Sequence, residues 1–129
     1  MEILLDTNFI LECAKKKIDF VSLTGGIVDE KIDWLVPQEV LNELGILKDK
    51  GEGGADKKAA GLGFEILEKI ENVKVIELSK KILKNVDMGI VNYVLGSGIV
   101  VATMDRGLKN RLGGNRVLSV RGEKKVGFL

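Results

Sequence analysis

Apolar residues gather in short runs separated by longer stretches with helical spacing. Four runs read as strands buried in a sheet: Glu2–Leu5, Asp33–Val36, Val73–Ile76 and Ile99–Thr103, with a weaker fifth at Val117–Val120. They are β-branched or Leu-rich without clean alternation, as expected of parallel strands covered on both faces. Between them the pattern predicts helices over Asn8–Lys16, Gln38–Lys48, Asp56–Glu71, Asp87–Leu95 and Arg106–Leu112. Pro37 suits the start of the second of these. Leu62, Ile66 and Ile70 recur every four residues in the third. Ile18–Glu30 is ambiguous, helical with a break at Gly25-Gly26, and the Gly-rich, charged stretch Lys48–Ala55 reads as a loop joining two helices. Strand–helix alternation of this kind predicts an α/β fold, a three-layer α/β/α sandwich with a mainly parallel central sheet, spanning residues 1–129 as a single domain.

Composition narrows the chemistry. Lys and Arg number 20 against 19 Asp and Glu, and there is no histidine. Ser-His, Cys-His and His-ligated zinc mechanisms are therefore excluded. Cys13 stands alone, so no internal disulfide forms. That fits a reducing cytoplasm, and the residue is expected to pack as a small apolar side chain. The opening MEILLDTN does not read as a secretory leader, and no apolar run is long enough to span a bilayer.

Carboxylates must then carry most of any chemistry. In open α/β sheets functional groups collect past the carboxyl ends of strands. The first strand runs into Asp6-Thr7-Asn8, the fourth into Thr103-Met104-Asp105, and Asp87 opens a helix. Each aspartate could simply cap a helix. Adjacent strands would nonetheless bring Asp6 and Asp105 close, and clustered carboxylates repel unless a cation is present. Glu43 borders the apolar stripe formed by Val40, Leu41, Leu44 and Leu47, where it could reach over the sheet edge, whereas Glu39 lies toward solvent. A receiver-like domain would want a second acid two residues past Asp6, where Asn8 stands.

Four blocks carry a resemblance: Asp6-Thr7-Asn8, Val36-Pro37-Gln38-Glu39-Val40-Leu41-Asn42-Glu43-Leu44, Val86-Asp87-Met88-Gly89-Ile90, and Ala102-Thr103-Met104-Asp105-Arg106-Gly107-Leu108. In this order and spacing the chain resembles the PIN domain family of nucleases. The resemblance implies a metal-dependent endoribonuclease in which Asp6, Glu43, Asp87 and Asp105 surround Mg²⁺ or Mn²⁺. By the same likeness Thr103 helps orient the site, Thr7 and Asn8 support Asp6, and cleavage leaves a 5′-phosphate. Met88 stands where many relatives carry a second acid, and Arg106, Gly107, Leu108 and Lys109 follow Asp105 where some carry another, so one-metal and two-metal schemes both stay open. An RNA-processing enzyme, a toxin with an antitoxin partner and a silent RNA-binding domain all share this likeness.

Near-neutral net charge conceals an asymmetry. Residues 1–47 hold nine acids and four lysines, whereas residues 106–125 hold seven bases, including all four arginines, and one acid. Arg suits bidentate contact with phosphate. Arg106, Lys109, Arg111 and Arg121 are the expected RNA contacts, although a solvated polar face would carry the same charges. Aromatic residues are too scattered for a stacking platform. Ile10–Leu11 and the stretch Ile66 to Ile70 are apolar enough to serve either a homodimer or the core.

Overall fold

The computed structural model describes residues 1–50, 54–78 and 85–129. Among them run β1 (Glu2–Leu5), α1 (Thr7–Lys16), α2 (Phe20–Ile27), β2 (Asp33–Pro37), α3 (Gln38–Lys50), α4 (Gly54–Lys69), β3 (Val73–Ile76), α5 (Val86–Val94), β4 (Val100–Ala102), α6 (Arg106–Arg111), β5 (Val117–Arg121) and β6 (Lys125–Phe128). The strands form one sheet in the order β3-β2-β1-β4-β5-β6. All neighbouring pairs are parallel except β5 with β6.

Alternate residues of each strand feed two separate cores, and this makes the three layers. Ile3, Leu5, Trp34, Val36, Ala102 and Leu118 pack with Phe9, Ile10, Phe20, Val40, Leu44 and Leu67 from α1 to α4. On the other face Leu4, Leu35, Val101 and Val117 pack with Ile90 and Val94 of α5 and Leu108 and Leu112 at α6. The α/β/α sandwich expected from strand–helix alternation is the architecture found.

Several local expectations need correction. Val73–Ile76 is a strand but not a buried one. It lies at the sheet edge, where Lys74 and Val75 are exposed and only Ile76 is fully covered. The fourth strand is shorter than Ile99–Thr103, although the Thr103 N–H still reaches Leu118 O at 3.1 Å. Ile18–Glu30 contains a continuous helix from Phe20 to Ile27 with both glycines inside it. Phe20 holds it to the core through edge-on contacts with Phe9 and Trp34, at centroid separations of 5.4 and 5.2 Å. The predicted loop Lys48–Ala55 is helical up to Lys50 and again from Gly54, and residues 51–53 lie outside the described residues.

The inward stripe of α4 differs too. Its buried side is Ala59, Ala60, Gly63 and Leu67, while Leu62 is 41% exposed and Ile70 lies past the helix end. Small residues let α1 approach closely, so Ile66 is left only partly covered at the border of this core. Ile10 and Ile70 are buried and Leu11 and Ile66 half-buried, so these stretches serve the core first. Among the described residues no helix is long and apolar enough to cross a membrane.

Candidate active site

The candidate acids come from four separate segments. Asp6 follows β1, Glu43 sits on α3, Asp87 in the first turn of α5, and Asp105 just past β4. Pairing of β1 with β4 sets Leu5 beside Ala102, and the Asp6 N–H continues that ladder to Ala102 O at 3.0 Å. Asp6 and Thr103 are therefore neighbours one step beyond the paired strands.

Asp6 is only 4% exposed. Burial pushes its carboxyl up to about 6, the Thr103 hydroxyl draws it down, the Asp87 charge raises it, the Thr7 N–H lowers it and Glu43 raises it again. The Thr103 hydroxyl donates to Asp6 Oδ2 at 2.7 Å, and the Thr7 N–H donates to Oδ1 at 2.9 Å. Thr103 Oγ1 in turn accepts the Asp105 N–H at 3.1 Å. Asn8 Oδ1 accepts the Met104 N–H at 2.9 Å, pinning the β4–α6 connection to the start of α1. Asn8 does not cap α1; Asp6 does.

Glu43 and Asp87 each respond to a neighbouring acid. Burial raises Glu43, the nearby Thr7 hydroxyl lowers it, and Asp87 raises it. Burial also raises Asp87, as does the Asp105 carboxylate, while the Arg111 guanidinium lowers it. Asp105 caps α6 by accepting the Leu108 N–H at 3.1 Å, so capping and membership of the cluster coexist in one side chain. Asn85, rather than Asp87, caps α5, with its Oδ1 accepting the Met88 N–H at 2.8 Å. Glu39 is less solvated than its helical position implies, because its Oε1 accepts the Leu78 N–H at 3.3 Å.

Among the described residues no three of these acids stand tightly enough together to enclose a metal ion by themselves. The donor chemistry, oxygen ligands only, is of the kind that hard divalent cations take. The candidate donors are carboxylate oxygens, and burial together with neighbouring acids holds Asp6, Glu43 and Asp87 above their ordinary pKa values. The Thr7 hydroxyl beside Glu43 is buried without a geometrically sound hydrogen bond, which leaves a polar atom to be satisfied at the cluster. Mg²⁺ commonly takes only one or two carboxylates and completes its shell with water and phosphate.

The basic residues divide by environment. Arg106 is exposed, and Arg111 is exposed yet close enough to Asp87 to act on it. Arg121 is exposed at the end of β5. Lys109 is half-buried, and its ammonium donates to Ser119 Oγ at 3.3 Å. Ser119 escaped notice in the sequence, although it is the single polar residue inside the otherwise apolar run Val117–Val120. Arg116 lies over the Phe128 ring at 4.1 Å and so helps to hold β6. A cavity of about 750 Å³ opens elsewhere, bordered by α2, α4 and the starts of β2 and β3, and none of the four acids lines it. Burial raises the Cys13 thiol to about 12, so it is an inert core residue, as expected.

A three-layer fold with acids gathered past β1 and β4 defines a nuclease-like α/β protein, and comparison with known proteins makes the class specific. A family model described as a PIN like domain matches residues 3–123, and the chain belongs to that family. The solved PIN domain endonuclease Utp24 is similar at 28% identity and a TM-score of 0.77, over 99% of this chain and 92% of that one. VapBC2 from Rickettsia felis, solved bound to a DNA fragment from its promoter, is similar in fold at 17% identity and a TM-score of 0.64, over 92% of this chain and 98% of that one. Comparison with curated proteins finds no match.

Proposed function

We propose that the chain is a metal-dependent endoribonuclease that hydrolyses RNA phosphodiester bonds, acting in processing of ribosomal or other RNA. The observation that carries this reading is the gathering of acids from four segments of a PIN-like fold, where Asp87 and Glu43 act on Asp6, Asp87 acts on Glu43, and Asp105 acts on Asp87. The 28% identity with an endonuclease over nearly the whole chain supports it.

In this reading Asp6, Asp87 and Asp105, with Glu43, hold Mg²⁺ or Mn²⁺. Bound there, the ion supplies Lewis-acid stabilisation of the phosphate and a more acidic water. The chain's own residues prepare the place. Thr103 fixes the orientation of Asp6 through its hydroxyl and steadies Asp105 through the backbone N–H that it accepts. Asn8 locks the loop carrying Asp105 to α1. Thr7 fixes Asp6 by its N–H, and its hydroxyl faces Glu43. Arg111 offsets negative charge at Asp87, and Arg106, Lys109 and Arg121 contact the RNA backbone.

A toxin role with an antitoxin partner rests on fold likeness alone, and at 17% identity that likeness gives no support for a partner. The test is cleavage of single-stranded and structured RNA with Mn²⁺, Mg²⁺ or EDTA by wild type, Asp6→Asn and Asp105→Asn. The reading expects metal-dependent cleavage that falls at least about 100-fold in either variant. Full activity in the variants refutes the acidic assignment, and absence of cleavage with any metal favours a silent RNA-binding domain.

A further inference from the structure

Register places Ser119 in line with the acids. Leu4, Val101 and Val117 lie side by side on β1, β4 and β5 and face the α5–α6 layer. Two residues further along, on the same face, come Asp6, Thr103 and Ser119. Asp6 and Ser119 are thus two strand spacings apart, roughly 9–10 Å. Ser119 is 2% exposed and has a defined hydrogen-bond direction. Its hydroxyl donates to Met104 Sδ at 3.3 Å, so an oxygen lone pair is left to accept from the Lys109 ammonium. Met104 is fixed in its turn, because the Val120 N–H donates to the same sulfur and Asn8 accepts the Met104 N–H.

This chain of contacts gives Lys109 a defined position at the acid-bearing end of the sheet. Among the described residues its ammonium makes no salt bridge, and one of its three donors is committed to Ser119. Two donors and a full positive charge remain at one end of a row whose other end is Asp6. An ammonium is a compact, strongly hydrated point charge suited to phosphate oxygens rather than to base edges. We propose that Lys109 is a fixed anchor for a backbone phosphate neighbouring the one at the acids, and that Ser119 is its positioning residue. This rests on the reading of the protein as an RNA-cutting enzyme and adds to it the way one RNA strand is held in register.

The test is equilibrium binding of a labelled oligouridylate, followed by anisotropy in EDTA over a salt series. Lys109→Gln should weaken binding about tenfold and lower the slope of log K against log salt by about 0.7, the loss of one single-strand phosphate contact. Lys109→Met keeps the apolar stem and should match it. Ser119→Ala should weaken binding by a smaller factor, Ser119→Thr should restore it, and Lys109→Gln/Ser119→Ala should bind no more weakly than Lys109→Gln alone. An unchanged salt slope in Lys109→Gln, disagreement between the two Lys109 variants, or additive losses in the double variant overturns the proposal. So does an absence of oligouridylate binding by the wild type. Cleavage of the same RNA by the wild type with Mn²⁺ is scored separately. Binding as expected without any cleavage refutes the nuclease reading and leaves the anchor standing.

Discussion

Asp6 is held neutral far more readily than an exposed aspartate, and this has a consequence for stability. Its pKa rises from 3.8 to about 6 on folding, chiefly through burial. The folded state therefore binds the Asp6 proton more tightly than the unfolded chain does. Stability from this group is complete below pH 3.8 and disappears as pH rises through about 6. At 1.36 kcal/mol per unit the penalty at neutral pH is about 3 kcal/mol for this nearly fully buried carboxyl. Asp6→Asn removes the charge, so in EDTA it should be more stable than wild type near pH 7 by up to about 3 kcal/mol and close to it near pH 4. Urea denaturation of both proteins at the two pH values checks this, and a difference independent of pH contradicts it. Such a stability cost at neutral pH is what a trade of stability for function would look like at this position. The sequence pointed to Asp6 because it ends an apolar strand. The family likeness already named Thr103 as an orienting residue, but it could not reveal Ser119 in line with Asp6, since that relation exists only once β1, β4 and β5 are aligned.

Elements with strong periodicity were legible, and those held by tertiary contact were not. β1, β2 and α3 fall within about two residues of expectation, the usual scatter of helix and strand ends. β6 was missed because Lys125-Val126-Gly127-Phe128 carries no strand-like pattern. It forms by pairing with β5 across a turn that places Gly122 at φ 66, and by Phe128 lying beneath Arg116. The helix α2 keeps two glycines that cost roughly 1 kcal/mol each relative to Ala, offset by buried Phe20 packing edge-on against Phe9 and Trp34. In α4 the periodic Leu62 and Ile66 drew attention away from the glycine that sets the packing. A Cβ at Gly63 would meet Ile10 Cγ2 at 2.8 Å, and Ile10 is fully buried and stiff at χ1. Gly63→Ala therefore sets an overpacking cost of about 1–3 kcal/mol against a gain in helix propensity of about 1 kcal/mol, for a net loss of about 1 kcal/mol. Gly61→Ala, whose Cβ meets nothing within 4 Å, should instead gain about 0.5–1 kcal/mol. Opposite shifts in denaturation midpoint are the expected result, and two shifts of the same sign would show that the α1–α4 approach does not limit the packing.

Across the whole molecule, near-neutral charge is divided between two faces of one sheet. The helix α6, with Arg106, Lys109 and Arg111, covers the face it shares with α5, and Arg121 follows Ser119 on the same side of β5 by strand alternation. The lysines of α4 stand over the opposite layer, where Lys57, Lys58 and Lys69 are all exposed. The three arginines of the first set and the three lysines of the second contribute equally to net charge, so net charge alone predicts equal effects on RNA binding. If position governs, the two sets differ, because RNA held at the acids passes α6 and not α4. Arg106→Gln/Arg111→Gln/Arg121→Gln should lower the slope of log K against log salt by up to about 2, at about 0.7 per lost phosphate contact. Lys57→Gln/Lys58→Gln/Lys69→Gln removes the same charge and should leave the slope nearly unchanged. Anisotropy with the same oligouridylate in EDTA measures both. Equal reductions would mean that the protein attracts RNA through its overall field, and the basic residues after Asp105 would then lose their claim to line the path of the strand.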